Sequence, residues 1–534
     1  MSATSTCKHS HDTFIDNDDP TTLKRLSQHR IATEADIQSA VAAARKAGHE
    51  WKRYSLSARR RLLREIRLRL MDRLPEMVDT ICRDTGKVQV EALMADIYPV
   101  FDLLSYYEKN LARFLSPVRR SRRWLPPQTG WVEYAPRGVV AVIAPWNYPF
   151  QLAMVPIITA LAAGNTVILK PSEITPLVGE RIEALFQDLS EVPNPLVQVI
   201  HGGGAVGEAL IKNEPELVFF TGSVATGKKV MGTASASLIP VILELGGKDP
   251  FIVLEDAHVA RAAAGAVYAA FANTGQLCIS AERVYVHEAV AAPFLEYVKA
   301  EIQRIRVDTG RSGDIGPLTD PEQKRHVQRQ IQEALDAGAE QLDTPPAVAA
   351  EEGGDPPNRL NPKVLTRVDH HMAIMKDETF GPVMPVMTFS HDEEAIEMAN
   401  DSSFGLNASI WSRDLRRAQQ MASELVVGSC SINDVIKNVG NPKLPFGGVK
   451  HSGIGRVHGP EGLRNLSQTK SISLHRWNQG REVNWFPFDQ TLYEDLIKYL
   501  NLAYGKTSRW SAWLQAPGLI RRLFGRMKPK RSKR

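Results

Sequence analysis

From Gly138 onward one pattern governs the chain: short apolar, β-branched runs separated by stretches of helical character. The runs fall at 139–143, 166–169, 197–200, 217–220 and 241–245. Mostly apolar runs of this length, interrupted only by Thr166, Gln198 and Glu244, fit strands covered on both faces, and strands alternating with helices build a doubly wound parallel sheet. A second α/β stretch, roughly 251–433, has strands and helices of its own. The acidic, Gly- and Pro-rich segment 345–357 interrupts it and reads as a surface loop. The first 115 residues read as mainly helical: Thr33 and Asp36 form a capping pair, and Leu62, Leu63, Ile66 and Leu70 recur at helical spacing.

At 534 residues the chain needs several domains. Its net charge is +5, but residues 496–534 hold eleven Lys and Arg with no Asp or Glu, so the preceding residues carry about −6. A body without basic excess gives no support for nucleic-acid binding. The four cysteines, Cys7, Cys82, Cys278 and Cys430, are widely spaced with no C-x-x-C pair, which argues against a disulfide framework or a zinc site and for a reducing, cytoplasmic setting. No secretory leader or run of about 18 apolar residues is present.

Ligands of doubly wound sheets bind beyond the carboxyl ends of the strands. The first strand runs into Pro145-Trp146-Asn147, where the Asn147 amide either stabilises an oxyanion or satisfies loop backbone. The second ends at Lys170, with Glu173 close behind. A carboxylate here suits the ribose hydroxyls of NAD and repels the extra phosphate of NADP, which stays as the alternative. The turn from Gly222 through Ser223 to Gly227 opens a helix suited to a pyrophosphate. Gly202, Gly204 and Gly207 spell G-x-G-x-x-G, but no acid ends a following strand as the fingerprint requires, and they read as turn glycines. Glu244 stands at a fifth strand end, and Cys278 follows thirty-four residues later.

These segments, together with Glu378-Thr379-Phe380-Gly381-Pro382 and the glycine-rich stretches after Pro445 and Ser452, resemble in order and spacing the motifs of the aldehyde dehydrogenase superfamily over about residues 30–475. The resemblance implies that Cys278 is the nucleophile, that Asn147 and the Cys278 backbone N–H hold the oxyanion, and that Glu244 activates the hydrolytic water. Members that pass the acyl group to coenzyme A typically lack this acid, so release as the free acid is implied. It assigns Trp146, Lys170, Glu173, Gly222, Ser223, Gly227, Leu245, Glu378 and Phe380 to the cofactor. Cys82 and Cys430 read as core thiols, and no metal is implied.

The implied organisation is a polar tail at 1–30, an NAD-binding domain at 31–243 with 115–136 contributing to an arm, a catalytic domain at 244–440, a return to the cofactor domain and arm at 441–480, and a basic amphipathic extension at 481–534. The resemblance further implies a homodimer or homotetramer with a small β arm, near Trp131 to Tyr134 and Ile472 to Leu474. In the extension Leu519, Ile520, Leu523, Phe524 and Met527 recur at helical spacing among cations, with Trp485, Phe486, Phe488, Trp510 and Trp513 nearby. This suits peripheral contact with an anionic membrane or, equally, packing on a partner subunit or a solvated tail. Membrane contact would favour a lipophilic or long-chain aldehyde. Alternatives are succinate semialdehyde, which requires a tunnel cation such as Arg283 or Lys437, and a binding or scaffold protein without turnover. A cysteine hydrolase lacks a His placed by motif near Cys278.

Overall fold

The computed structural model describes residues 13–120, 129–307, 313–343, 358–474, 482–483, 485–505 and 509–526. The expected loop at 345–357, the basic end at 528–534, Cys7, Met527 and the side chains of Trp510, Trp513 and Phe524 lie outside the described residues. The chain divides into two compact units, one comprising Met1–Leu115 and Ala135–Gln468, the other Ser116–Tyr134 and Thr469–Arg534.

In the first unit the five apolar runs form β1 (Val139–Ile143), β2 (Thr166–Lys170), β3 (Val197–Val199), β4 (Leu217–Thr221) and β5 (Val241–Glu244). They lie side by side in the order β3-β2-β1-β4-β5, all parallel, with the short strand Gly453–Ile454 antiparallel on β5. β1 and β2 are buried throughout, which is why their sequences do not alternate. A second sheet holds β6 (Asp249–Val253), β7 (Ala281–His287), β8 (Lys363–Thr366), β9 (Val383–Phe389), β10 (Asn407–Trp411) and β11 (Ser429–Ile432), in the parallel order β8-β9-β7-β6-β10-β11. β6 follows β5 after only four residues, so the sheets share a seam where the end of one meets the start of the other.

The helical N-terminal part is as the sequence suggests. Thr33 and Asp36 form a capping box, and Leu62, Leu63, Ile66 and Leu70 are buried. The expected tail departs from its reading: Phe14–Asp18 and Arg25–Arg30 pair as an antiparallel hairpin. Arg25 bridges Asp16 and Asp18, and Asn17 reaches Asp84 at 2.7 Å, so polar side chains that resemble a tail in composition are spent on cross-strand and tertiary bonds.

The second unit contains a three-stranded sheet in which Thr129–Pro136 lies between Val118–Arg119 and Ser467–Leu474. Trp131 to Tyr134 and Ile472 to Leu474 therefore occupy neighbouring strands. Two helices close the chain, here called αY (Gln490–Tyr504) and αZ (Arg509–Arg526). Leu519 and Leu523 of αZ are not free to face a membrane. They are buried in a cluster with Leu492, against which Tyr499 and Leu502 pack, and Arg522 and Arg526 pair with Asp495 and Asp489. No helix among the described residues is long and apolar enough to cross a membrane.

Candidate active site

The carboxyl ends of the first sheet converge with one loop of the second. Lys170, the last residue of β2, is buried and donates to the Gly202 carbonyl at 2.7 Å and to Glu173 at 3.0 Å. Gly202 and Gly203 form the turn into a helix starting at Gly204, and the Gly202 carbonyl fixes Lys170, whereas Gly207 lies buried inside that helix rather than in a turn. Beyond β4, Ser223 caps the helix Val224–Ser235 by accepting from the Thr226 N–H, leaving first-turn N–H groups for an anion. A Cβ on Gly222 would press on the Phe220 ring, and one on Gly227 would meet the Leu245 side chain, so the two glycines let this turn pack closely.

β5 delivers Glu244. Its carboxyl is buried and neither oxygen has a hydrogen-bond partner among the described residues. Burial drives its pKa well above the usual carboxylate range, opposed only in part by Arg456. The chain continues through Leu245 to Gly246 and Gly247, where a side chain would overlap Glu378 and the Cys278 carbonyl respectively. The Gly247 N–H donates to Glu378 at 3.1 Å. Two glycines thus let the strand end approach both Glu378 and the thiol-bearing loop.

Cys278 is partly buried. Burial, then the carboxyls of Glu378, Asp249 and Glu244, push the pKa of its thiol up. Its loop is heavily braced: Asn273 and Thr274 sit at φ 48° and 57°, the Gln276 side chain bonds Asn273 and the Thr319 N–H, and Thr274 bonds Gly316. The Asn147 amide donates to the Gln276 carbonyl at 3.1 Å, two residues before Cys278. An amide nitrogen carries two hydrogens, so this bond to loop backbone leaves one for an oxyanion.

Trp146 meets Phe380 edge to face, with ring centroids 5.5 Å apart. The backbone N–H groups of Thr379 and Phe380 both donate to Glu282, at 2.7 and 2.8 Å, and Glu282 is held by buried Lys248 at 2.6 Å. Sequence analysis assigned no role to Glu282, Lys248 or Ser452, whose hydroxyl bonds the Gly246 carbonyl at 2.7 Å. Such partners lie far apart in sequence and leave no periodic signal. Cys82 is buried, and Cys430 packs beside the second sheet's core.

A cavity of about 1660 Å³ opens in the same unit, with Leu277, Tyr148, Phe271, Met94, Tyr98 and Tyr268 among its walls. It exceeds the roughly 300–1,000 Å³ usual for small-molecule sites. Arg283 is not part of its wall: 1% exposed, it donates to the carbonyls of Lys248, Met398 and Ala399. Lys437 does line the cavity, but its side chain is 76% exposed and pairs with Asp434 at 3.2 Å.

A doubly wound sheet with a Lys–Glu pair and an open helix N-terminus at its strand ends, set against a braced thiol loop, defines a dinucleotide-dependent oxidoreductase fold. The chain belongs to the aldehyde dehydrogenase family, which residues 7–472 match. It is 45% identical over 485 residues, 90% of each chain, to a 4,4'-diapolycopene aldehyde oxidase from Methylomonas sp. Among solved structures it resembles a Mycobacterium tuberculosis aldehyde dehydrogenase complexed with NAD+, at 30% identity and TM-score 0.82 over 88% of this chain and 95% of that one. An NAD-dependent aldehyde dehydrogenase from Sinorhizobium meliloti is similar at 32% identity and TM-score 0.82, over 89% and 93%.

Proposed function

We propose that this enzyme oxidises a lipophilic, long-chain aldehyde to its carboxylic acid through a thioester on Cys278, with NAD as the electron acceptor. The observation that carries the reading is Glu244: a buried carboxyl without a hydrogen-bond partner among the described residues, on the strand end that abuts the Cys278 loop, suits a base that acts on water. The Cys278 thiol gives up its proton to solvent as its sulfur attacks the aldehyde carbon, and the oxyanion is met by the Asn147 amide and the Cys278 N–H. When bound, NAD would supply the acceptor for the aldehyde hydrogen, which leaves as hydride. Glu244 then takes a proton from water as that water attacks the thioester, releasing the acid and regenerating the thiol. Lys170 and Glu173 suit the adenosine ribose, Gly222, Ser223 and Gly227 the pyrophosphate, and Trp146, Leu245, Glu378 and Phe380 the nicotinamide side.

A lipophilic substrate is supported by the size of the cavity, by its aromatic and aliphatic walls, and by likeness to an enzyme named for a carotenoid aldehyde. The semialdehyde reading loses Arg283, whose guanidinium is spent on backbone carbonyls. NADH formation by wild type and Cys278→Ala, with hexadecanal, hexanal and succinate semialdehyde in turn and with NAD and then NADP, tests the proposal. Preference for hexadecanal, lost with the thiol, is expected. Turnover without the thiol refutes the mechanism, and preference for the semialdehyde refutes the substrate class.

The C-terminal extension is proposed to rest on an anionic membrane, chiefly through αY rather than αZ. Tyr493, Leu496, Ile497, Leu500 and Tyr504 form an exposed stripe on αY, on the side away from Tyr499 and Leu502, and eleven cations occur without an acid from residue 496 on. Assembly into a homodimer or homotetramer is proposed through the arm, where the edge strand Ser467–Leu474 is largely exposed and offers its backbone to a second copy. The location that follows is cytoplasmic and peripheral to the membrane.

A further inference from the structure

The segment Lys87–Ile97 supplies three buried or partly buried charged groups that the reaction does not use. Glu91 ends a short helical turn and is followed by a π-helical turn, Ala92–Ile97, a geometry often found beside functional sites. One Glu91 oxygen accepts the Tyr148 hydroxyl at 3.0 Å, and the other accepts the Asn273 backbone N–H at 3.0 Å. Tyr148 adjoins Asn147 on the first sheet's strand end, while Asn273 begins the braced loop that leads to Cys278. Asn273 in turn donates through its amide to the Asn147 carbonyl at 3.1 Å. A single carboxylate therefore ties the two groups proposed to hold the oxyanion and the thiol.

Asp96 and Lys87 complete the arrangement. The helix Pro149–Ala163 has no cap from its own N-cap residue, Tyr148, and Asp96 supplies one from a distance by accepting the Gln151 N–H at 3.1 Å. Lys87 pairs with Asp96, and its ammonium lies 3.7 Å from the centroid of the Tyr148 ring. Asn147 is thus fixed from both sides of Tyr148. On the other side, Asn273 and Thr274 hold left-handed backbone conformations that persist only where surrounding bonds over-determine them.

We infer that Glu91 is a positioning residue: it sets the separation between the Asn147 amide and the Cys278 thiol, with Lys87 and Asp96 holding its partner Tyr148. The inference rests on the roles proposed above for Asn147 and Cys278. Glu91 touches no reacting atom and acts through Tyr148 and Asn273. Glu91 and Tyr148 also line the cavity, so the positioning role is read in kcat and in its recovery in Glu91→Gln, which keeps the shape of the wall.

The test is a kcat and KM comparison of full-length wild type, Glu91→Gln, Glu91→Ala, Tyr148→Phe and Cys278→Ala with hexadecanal. Glu91→Ala is expected to lower kcat by about 100-fold, the order produced by a misplacement of roughly 1 Å, with KM within about 3-fold of wild type. In Glu91→Gln the amide oxygen can still accept from Asn273 while its N–H₂ donates to the Tyr148 oxygen, so kcat should recover to within about 5-fold of wild type. Tyr148→Phe removes one of the two bonds and should fall between these. Should Glu91→Ala fail to fold, the order of Glu91→Gln above Tyr148→Phe decides. Wild-type kcat in Glu91→Ala, or no recovery in Glu91→Gln, overturns the inference. Cys278→Ala separates the readings: if it turns over, the thiol mechanism itself is wrong, whereas an inactive Cys278→Ala beside a fully active Glu91→Ala removes only the positioning role.

Discussion

Replacing Glu244 by Gln should slow the enzyme and stabilise it at once. The amide keeps the shape of the side chain but can neither take a proton nor ionise. General bases contribute about 10² to 10⁴ in rate, and the contribution here falls on hydrolysis of the thioester rather than on its formation. Rapid mixing of Glu244→Gln with aldehyde and NAD should therefore show a burst of NADH near one equivalent per subunit, followed by turnover slowed by that factor. In wild type the steady-state rate should rise with pH through a value above the ordinary carboxylate range, because Glu244 must be ionised to act and burial raises its pKa.

The same elevation fixes the sign of the stability effect. Below the unfolded carboxylate's pKa both states are protonated and there is no penalty. As pH rises, the unfolded chain loses this proton while the folded chain retains it, so wild-type stability falls until the folded pKa is passed. Each unit of elevation corresponds to about 1.4 kcal/mol. Glu244→Gln removes that slope, so its gain in urea midpoint over wild type should be larger at pH 8 than at pH 5. A steady-state rate within about 10-fold of wild type, no burst, or a midpoint gain independent of pH would refute the reasoning.

Three further outcomes are expected. Glu173→Ala should reduce the preference for NAD over NADP by about 10-fold or more, measured as the ratio of kcat/KM, because a carboxylate no longer repels the second phosphate. Gly247→Ala should abolish activity or folding, since its Cβ would overlap the Cys278 carbonyl, whereas Gly204→Ala, which meets nothing within 4 Å, should leave turnover near wild type. The double variant Leu496→Glu, Leu500→Glu should stop the protein from floating with phosphatidylglycerol vesicles without changing its activity on soluble hexanal. Equal flotation of wild type with phosphatidylcholine vesicles in high salt would argue against the charge contribution.

The parallel sheet was legible because strands buried on both faces are apolar nearly throughout, as in β1, β2 and β4, whereas β3, only partly buried, carries Gln198. The reactive segments were legible for a related reason: backbone that must approach a carbonyl, as at Gly247, admits only glycine and leaves a fixed spacing. The hairpin at 14–30 was not, because its stabilising contacts are ion pairs and an amide bond to Asp84 rather than an apolar period. The amphipathic pattern of αZ was visible, but whether its apolar side faces lipid or protein depends on αY, which covers Leu519 and Leu523. Composition and spacing along the chain determined which chemical groups are present and which backbone turns are obligatory. Tertiary structure alone decided that Arg283 is spent on carbonyls, that Glu282 holds Phe380 and that Glu91 joins Tyr148 to Asn273. Those bonds link residues separated by up to 182 positions, a distance over which no local periodicity carries information.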